Sequence, residues 1–190
     1  LLWLDAMTHM PRQNPVVPRA VYDPGLVKLD PQPRHGDSRA MISRDADMYF
    51  RVTSTTRGLH QYIGNRLGAF SDCNLLDEIP KVNGFYSLFL REAEEVRELL
   101  YDPTAHELDF RPLLDFLGVS HVTSATNAFE WTRRDAWMPF VTGGQKPVFV
   151  EDAKTLSAWF APGFDPRRLV ILPASDQALC GEIGRAEVKI

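Results

Sequence analysis

The densest concentration of polar chemistry lies between residues 65 and 86. Asn65, Arg66, Asp72, Cys73 and Asn74 are followed by Asn83-Gly84-Phe85-Tyr86. Amide, carboxylate and guanidinium groups set among glycines are groups that can hold a polar ligand. Arg66, Asp72, Asn74, Asn83 and Tyr86 are therefore the candidate ligand-binding residues. The same side chains also cap backbone groups of a tight loop, so ligand binding and self-capping both stand as readings. Trp131 and Trp137, next to Arg133, Arg134 and Asp135, form a second candidate, a carbohydrate or partner patch.

Other combinations are weaker. Asp45-Ala46-Asp47 is a triplet of the kind that can hold a divalent cation through a nucleotide diphosphate, yet no phosphate-cradling glycine loop accompanies it. The five histidines, at 9, 35, 60, 106 and 121, include no i,i+4 pair on which a helix could hold a metal. No metal site follows. Ser120-His121 lacks a G-x-S-x-G elbow, so His121 reads as structural. Cys73 and Cys180 are too few for a disulfide scaffold or structural zinc, and either form one bridge or remain separate thiols. No basic residue nearer than Arg66 in sequence marks Cys73 as an activated thiolate. There is no dinucleotide fingerprint or P-loop, so no cofactor is expected and no catalytic residue is assigned.

The elements that must position these groups follow from local pattern. Residues 1–46 carry six of the fourteen prolines, which predicts an extended, irregular arm lying on the domain surface and mobile near 30–45. Residues 47–54 are rich in β-formers and predict the first strand. The glycines of 55–84 predict a long structured loop with short helical turns. Residues 85–101 place Phe85, Leu88, Phe89, Val96, Leu99 and Leu100 at helical spacing opposite an acidic face. Pro112 and Gly118 bracket a short helix, and Val119–Ser124 reads as a strand. Residues 127–141 predict a strand pair or hairpin, and Pro147–Val150 a short strand. Asp152 is the expected N-cap of a helix over 153–160, with a buried strand at 168–172 and another at 183–190. The expected fold is therefore α+β: a small mixed sheet with strand–helix–strand units, flanking helices and the proline-rich N-terminal arm. The arm occupies 1–46 and the α+β domain 47–190.

At 190 residues, 44% hydrophobic and 24% charged, the chain has the composition of an ordinary globular domain with a sizeable core. Its net charge of −4 carries no electrostatic footprint for nucleic acid. The sequence opens Leu1-Leu2-Trp3-Leu4 without Met and closes on the alternating Glu187-Val188-Lys189-Ile190. Both ends predict an excised piece of a larger protein. The first four residues read equally as the end of a membrane helix or as an apolar arm packed on the domain.

Four segments in order carry a family resemblance. They are Arg12-Gln13-Asn14-Pro15 followed by Tyr22-Asp23-Pro24; Asn83-Gly84-Phe85-Tyr86 before a helix; Leu113-Leu114 through Gly118-Val119-Ser120-His121-Val122; and Phe164-Asp165-Pro166 leading into Leu169–Leu172. Together, from about residue 10 to 172, they resemble the extracytoplasmic domain of YfhO-type bacterial membrane proteins. These are polytopic proteins related to GT-C glycosyltransferases that use lipid-linked sugars. Val16 stands where the family commonly has Thr, and its Pro-Arg-Ala is only loosely echoed by Met138-Pro139-Phe140-Val141. The resemblance implies a domain on the extracytoplasmic face of a bacterial cell membrane. It is tethered by transmembrane helices outside this sequence, and its chain continues beyond Ile190. The group's catalytic carboxylate lies in an early membrane-proximal loop, so no catalytic role passes to Asp45 or Asp47.

The expected function is thus a non-catalytic accessory domain in envelope glycan assembly. It would bind an acceptor, a glycan or lipid-linked sugar, or a protein partner. The alternatives are a soluble hydrolase or transferase domain with its site in loop 65–86, and an interaction module using Trp131 and Trp137.

Overall fold

The computed structural model describes residues 2–9, 17–53, 58–84, 90–105 and 107–180. The fold is α+β. A three-stranded mixed sheet runs in the order β1 (Arg39–Met41), β2 (Val119–Thr123), β3 (Trp131–Arg133). β1 and β2 are parallel, with Ala40 opposite His121. β2 and β3 are antiparallel, with Val122 opposite Thr132. Residues 80–82 lie along the outer side of β1. The Ala40 N–H donates to Pro80 O at 2.8 Å, and the Val82 N–H to Ala40 O at 3.0 Å. A second, two-stranded parallel sheet pairs β4 (Lys146–Val150) with β5 (Leu169–Pro173).

The described residues also form the helices α1 (Leu2–His9), α2 (Arg44–Val52), α3 (Gly58–Leu67), α4 (Arg91–Tyr101), α5 (Arg111–Phe116) and α6 (Thr155–Ala158). Met41, Leu100, Leu113, Val119 and Trp159 form the core where the two sheets meet, with Phe160, Phe164 and Ile171 packed against it. Asp115 bridges the units in charge as well: its carboxylate accepts from Arg134 at 2.7 Å and from Arg167 at 2.5 Å.

Several expectations hold. α5 carries Pro112 in its first turn and ends at Gly118, whose φ of +68° suits glycine. β2 and β4 form where β-branched residues cluster, and a strand forms where one was expected at 168–172, as β5, though it is half-buried along its length rather than buried. Residues 91–101 of the expected 85–101 helix form α4, while 85–89 lie outside the described residues, as do 183–190.

Others are corrected. The strand expected over 47–54 does not form across the described residues 47–53; α2 runs from Arg44 to Val52, and residue 54 lies outside the described residues. Ser43 caps it, its Oγ accepting from the Ala46 N–H at 3.3 Å, and Asp45 and Asp47 in the first turn favour the positive end of the helix dipole. Burial of Ala46, Asp47 and Phe50 on one face then outweighs the β-propensity of Met48-Tyr49-Phe50-Arg51-Val52. Within 55–84, α3 is a full ten-residue helix rather than a set of short turns. Residues 127–141 hold one strand, β3, whose partner is β2, so no hairpin lies inside that segment. The helix expected over 153–160 is a 3₁₀ turn (Asp152–Lys154) followed by the single turn of α6, and Asp152 is not its cap. The N-terminal stretch is not uniformly extended: α1 is helical, and β1 is an internal strand. Val21, Val27, Leu29, Ala40, Met41 and Ile42 are buried, so residues 21–42 feed the core.

Candidate functional site

Parallel strands bring their carboxyl ends to one side of a sheet, and ligands of such sheets sit at that side. Here the carboxyl ends are Ile42-Ser43 after β1, Asn83-Gly84 after residues 80–82, and Ser124 after β2. Helix α2 rises from this edge with a cleft on each flank.

The first cleft has a volume of about 230 Å³. Asp47 and Arg51 of α2, Phe70 and Ser71 of the turn after α3, and Lys81 and Asn83 line it. Asp47 is buried and accepts from Arg51 Nε at 2.6 Å, one helical turn away. Ala69 and Ser71 adopt left-handed conformations, φ +48° and +53°, which cost a non-glycine residue. Lys81 Nζ ties this turn down, donating to Ala69 O at 2.7 Å and to Ser71 O. Burial pulls the Lys81 ammonium from its ordinary value down to about 8; nearby Asp72 acts in the opposite sense. Asn83 Oδ1 is buried and has no hydrogen-bond partner among the described residues. The Tyr101 hydroxyl, within electrostatic reach of Asp47 and Arg51, donates to Ile42 O at 2.8 Å, and burial pushes that phenol well above its usual range.

The second cleft, about 400 Å³, lies on the opposite flank of α2. Asp45, Tyr49, Ser124, Thr126, Asn127 and Phe129 line it. Its polar groups largely serve their own turn: the Thr126 N–H donates to Ser124 Oγ at 3.2 Å, and the Phe129 N–H to Asn127 Oδ1 at 3.1 Å.

The residues singled out from the sequence divide. Arg66 is buried and works as a clamp. Its Nη2 meets both Asp77 oxygens at 2.9 Å, and its Nη1 donates to Val21 O at 2.5 Å and Asp23 O at 2.7 Å. Asn74 Nδ2 donates to Ile79 O at 2.8 Å inside its own loop. These two side chains hold backbone. Asp72 is half-buried, with its charge on Lys81, and Asn83 lines the first cleft. Tyr86 lies outside the described residues. The structure thus joins Asn83 to Lys81, Asp47, Arg51 and Ser71, none of which stood among the ligand-binding candidates. Lys81 carried one sequence signal: a single lysine in a segment otherwise bound for the interior.

Asp45 and Asp47 part company on α2, one exposed and one buried, and no cluster of three metal-ligating side chains occurs among the described residues. His121 is buried, with Nδ1 3.0 Å from Ser120 Oγ and Nε2 3.3 Å from Asp30 O, and burial depresses its pKa. That environment is a structural histidine's. Trp131 Nε1 donates to Leu67 O at 3.0 Å, and Arg133 stacks over Trp137 at 5.6 Å. Cys73 and Cys180 are free thiols, and burial raises the Cys73 thiol.

Comparison with known proteins adds no name to this geometry: no family model, no curated protein and no solved structure matches the chain.

Proposed function

We propose that this chain is a non-catalytic binding domain on the extracytoplasmic face of a bacterial membrane. It is part of a polytopic protein related to lipid-linked-sugar glycosyltransferases, and it holds an acceptor or partner in envelope glycan assembly. The ordered sequence resemblance supplies the membrane and glycan context. The observation that carries the reading is α1. None of its residues is buried, and Leu2, Trp3, Leu4 and Met7 are all exposed, Leu2 at 88%. At 100° per residue, Leu2, Ala6, Trp3, Met7 and Leu4 cover one side of the helix, and Thr8, Asp5 and His9 the other. A short helix with tryptophan on an exposed apolar face suits the headgroup boundary of a bilayer. No helix among the described residues is long and apolar enough to cross a membrane. The reading places α1 at the membrane surface on its exposed tryptophan and leucines.

The binding rather than catalytic role draws support from the loop 65–86 side chains. Arg66 divides its Nη donors between the Asp77 carboxylate and the carbonyls of Val21 and Asp23, and Asn74 donates to Ile79 O, so both hold the chain's own fold, and the clefts beside α2 are the binding surfaces of this reading.

Vesicle co-sedimentation tests the proposal. The chain should partition onto vesicles of phosphatidylglycerol and phosphatidylethanolamine. Trp3→Ser with Leu4→Ser should weaken partition about tenfold or more, because two large apolar side chains leave the interface. Equal partition of the parent and the double variant, or none for either, refutes the membrane placement.

A further inference from the structure

We propose that the cleft between α2 and residues 80–84 binds a single neutral polyhydroxyl ring, using Asn83, Lys81, Ser71 and Arg51; this rests on the binding-domain reading and names its ligand class.

The argument is one of donors and acceptors. Asn83 Oδ1 is a buried acceptor with no partner, a rare and costly condition that a ligand bearing a donor would relieve. Lys81 is an ammonium with three N–H donors. Ala69 O and Ser71 O take two of them, and the third meets no further acceptor among the described residues. The ligand must therefore present a donor and an acceptor close together. A hydroxyl group is both, so a vicinal pair of hydroxyls serves the two residues at once.

Charge narrows the class. Asp47 and Arg51 neutralise each other at 2.6 Å, and Asp72 offsets Lys81. A carboxylate brings no donor to Asn83; a phosphate can donate through a P–OH, but like the carboxylate it sets a negative charge against the Asp47 carboxylate. An ammonium ligand faces Lys81 and Arg51. A neutral polyol meets neither penalty. Size narrows it further. At about 230 Å³ the cleft falls below the roughly 300–1,000 Å³ of drug-sized ligand pockets, which fits one ring rather than an oligomer.

The walls are pre-set. Phe70 stacks on Phe50 with centroids 5.3 Å apart at 29°, so the apolar side of the cleft is fixed before a ligand arrives. The C–H face of a pyranose or cyclitol packs against such a ring. The left-handed turn at Ala69 and Ser71, tied by Lys81, holds Ser71 at the rim, and strained turns of this kind gather at ligand sites.

The test is a titration of the whole ¹⁵N-labelled chain with glucose, galactose and myo-inositol, each to high millimolar, followed by amide shifts. Inorganic phosphate and acetate are titrated in parallel. At least one polyol should give saturable shifts confined to residues 69–84 and the face of α2. Asn83→Ala should weaken that binding about tenfold without lowering Tm, because the lost oxygen had no partner in the fold. Arg51→Ala, at a more exposed position, should weaken it several-fold with the rest of the spectrum unchanged. The proposal is overturned if no polyol saturates, if phosphate or acetate saturates the same amides more tightly, or if Asn83→Ala binds as the parent does. Vesicle binding through α1 is read separately. Retained vesicle binding with no polyol response sinks the ligand class alone, and polyol binding without vesicle binding sinks the membrane placement alone.

Discussion

Asp77→Ala is the perturbation whose consequence follows most directly from the geometry. Asp77 and Arg66 are each 1% exposed, and two carboxylate–guanidinium contacts of 2.9 Å join them. Asp77 Oδ1 also accepts from the Gly25 N–H at 2.7 Å and the Leu26 N–H at 2.9 Å. Arg66 meanwhile holds the carbonyls of Val21 and Asp23. The pair therefore docks residues 21–26 onto α3 and the 3₁₀ turn Cys73–Asp77. Truncating Asp77 leaves a buried guanidinium without its counter-charge, which costs about 3–5 kcal/mol. Two backbone donors lose their acceptor in the same step, which places the total at the upper end of that range. Domain stabilities are about 5–15 kcal/mol, so the variant should lose a third or more of its stability. For a chain of this size, each kcal/mol lowers Tm by about 2–4 °C, so a fall of roughly 10–20 °C is expected. Urea unfolding followed by tryptophan fluorescence measures it. Arg66→Met combined with Asp77→Leu should cost less than the two single changes summed, because an apolar pair replaces a charge pair. A loss below about 1 kcal/mol for Asp77→Ala, or strict additivity in the double variant, would refute the clamp.

Two further outcomes follow from the same region. The Lys81 ammonium titrates near 8 in the folded chain and near its ordinary 10.5 when unfolded, so between those values the unfolded chain holds the extra proton. Stability should then rise with pH across that window, by roughly 2 kcal/mol from pH 8 to 10, and the Lys81 contribution to the slope should fade over about one pH unit below 8. The buried Cys73 thiol works in the opposite direction above its unfolded value of 9.0, so the comparison is made in a Cys73→Ala background, with and without Lys81→Met. A slope equal in both, measured by urea melts at stepped pH, would show that Lys81 is not desolvated. Gly68→Ala places a Cβ on the Phe50 ring, a buried side chain stacked on Phe70, and should cost about 1–3 kcal/mol in a thermal melt. An unchanged Tm would mean that this packing is looser than described.

Much of the architecture was legible locally. α5 and β2 announced themselves through Pro112, Gly118 and the β-branched run that follows, because each signal acts within a few residues. The β4–α6–β5 unit was legible for the same reason, although its helix is shorter than the expected 153–160 and Asp152 does not cap it. α2 was misread because two local signals compete there. The β-formers Tyr49, Phe50 and Val52 outnumber the cap at Ser43, and burying Phe50 against Phe70 and Phe129 decides the contest. β1 is three residues, Arg39-Ala40-Met41, with no propensity worth reading. It is a strand because Gly118 O, β2 and Pro80 lie on either side to receive its hydrogen bonds.

The candidate site divides along the same line. Sequence alone determined that 65–86 is rich in groups able to hold backbone or ligand, and that the chain is an α+β domain without a dinucleotide, P-loop or nucleophile-elbow signature. It named Arg66, Asp72, Asn74 and Asn83 without ranking them. Only the tertiary structure decided that Arg66 is spent on Asp77 and the N-terminal segment, while Asn83 stands beside Lys81 with an unpartnered oxygen. The reason is physical. A side chain's role depends on which partners reach it and how much water remains, and those partners come from segments 11 to 45 residues away for Arg66 and from α2 for the cleft. Propensity and spacing report on neighbours along the chain, whereas desolvation and charge pairing are properties of the assembled interior.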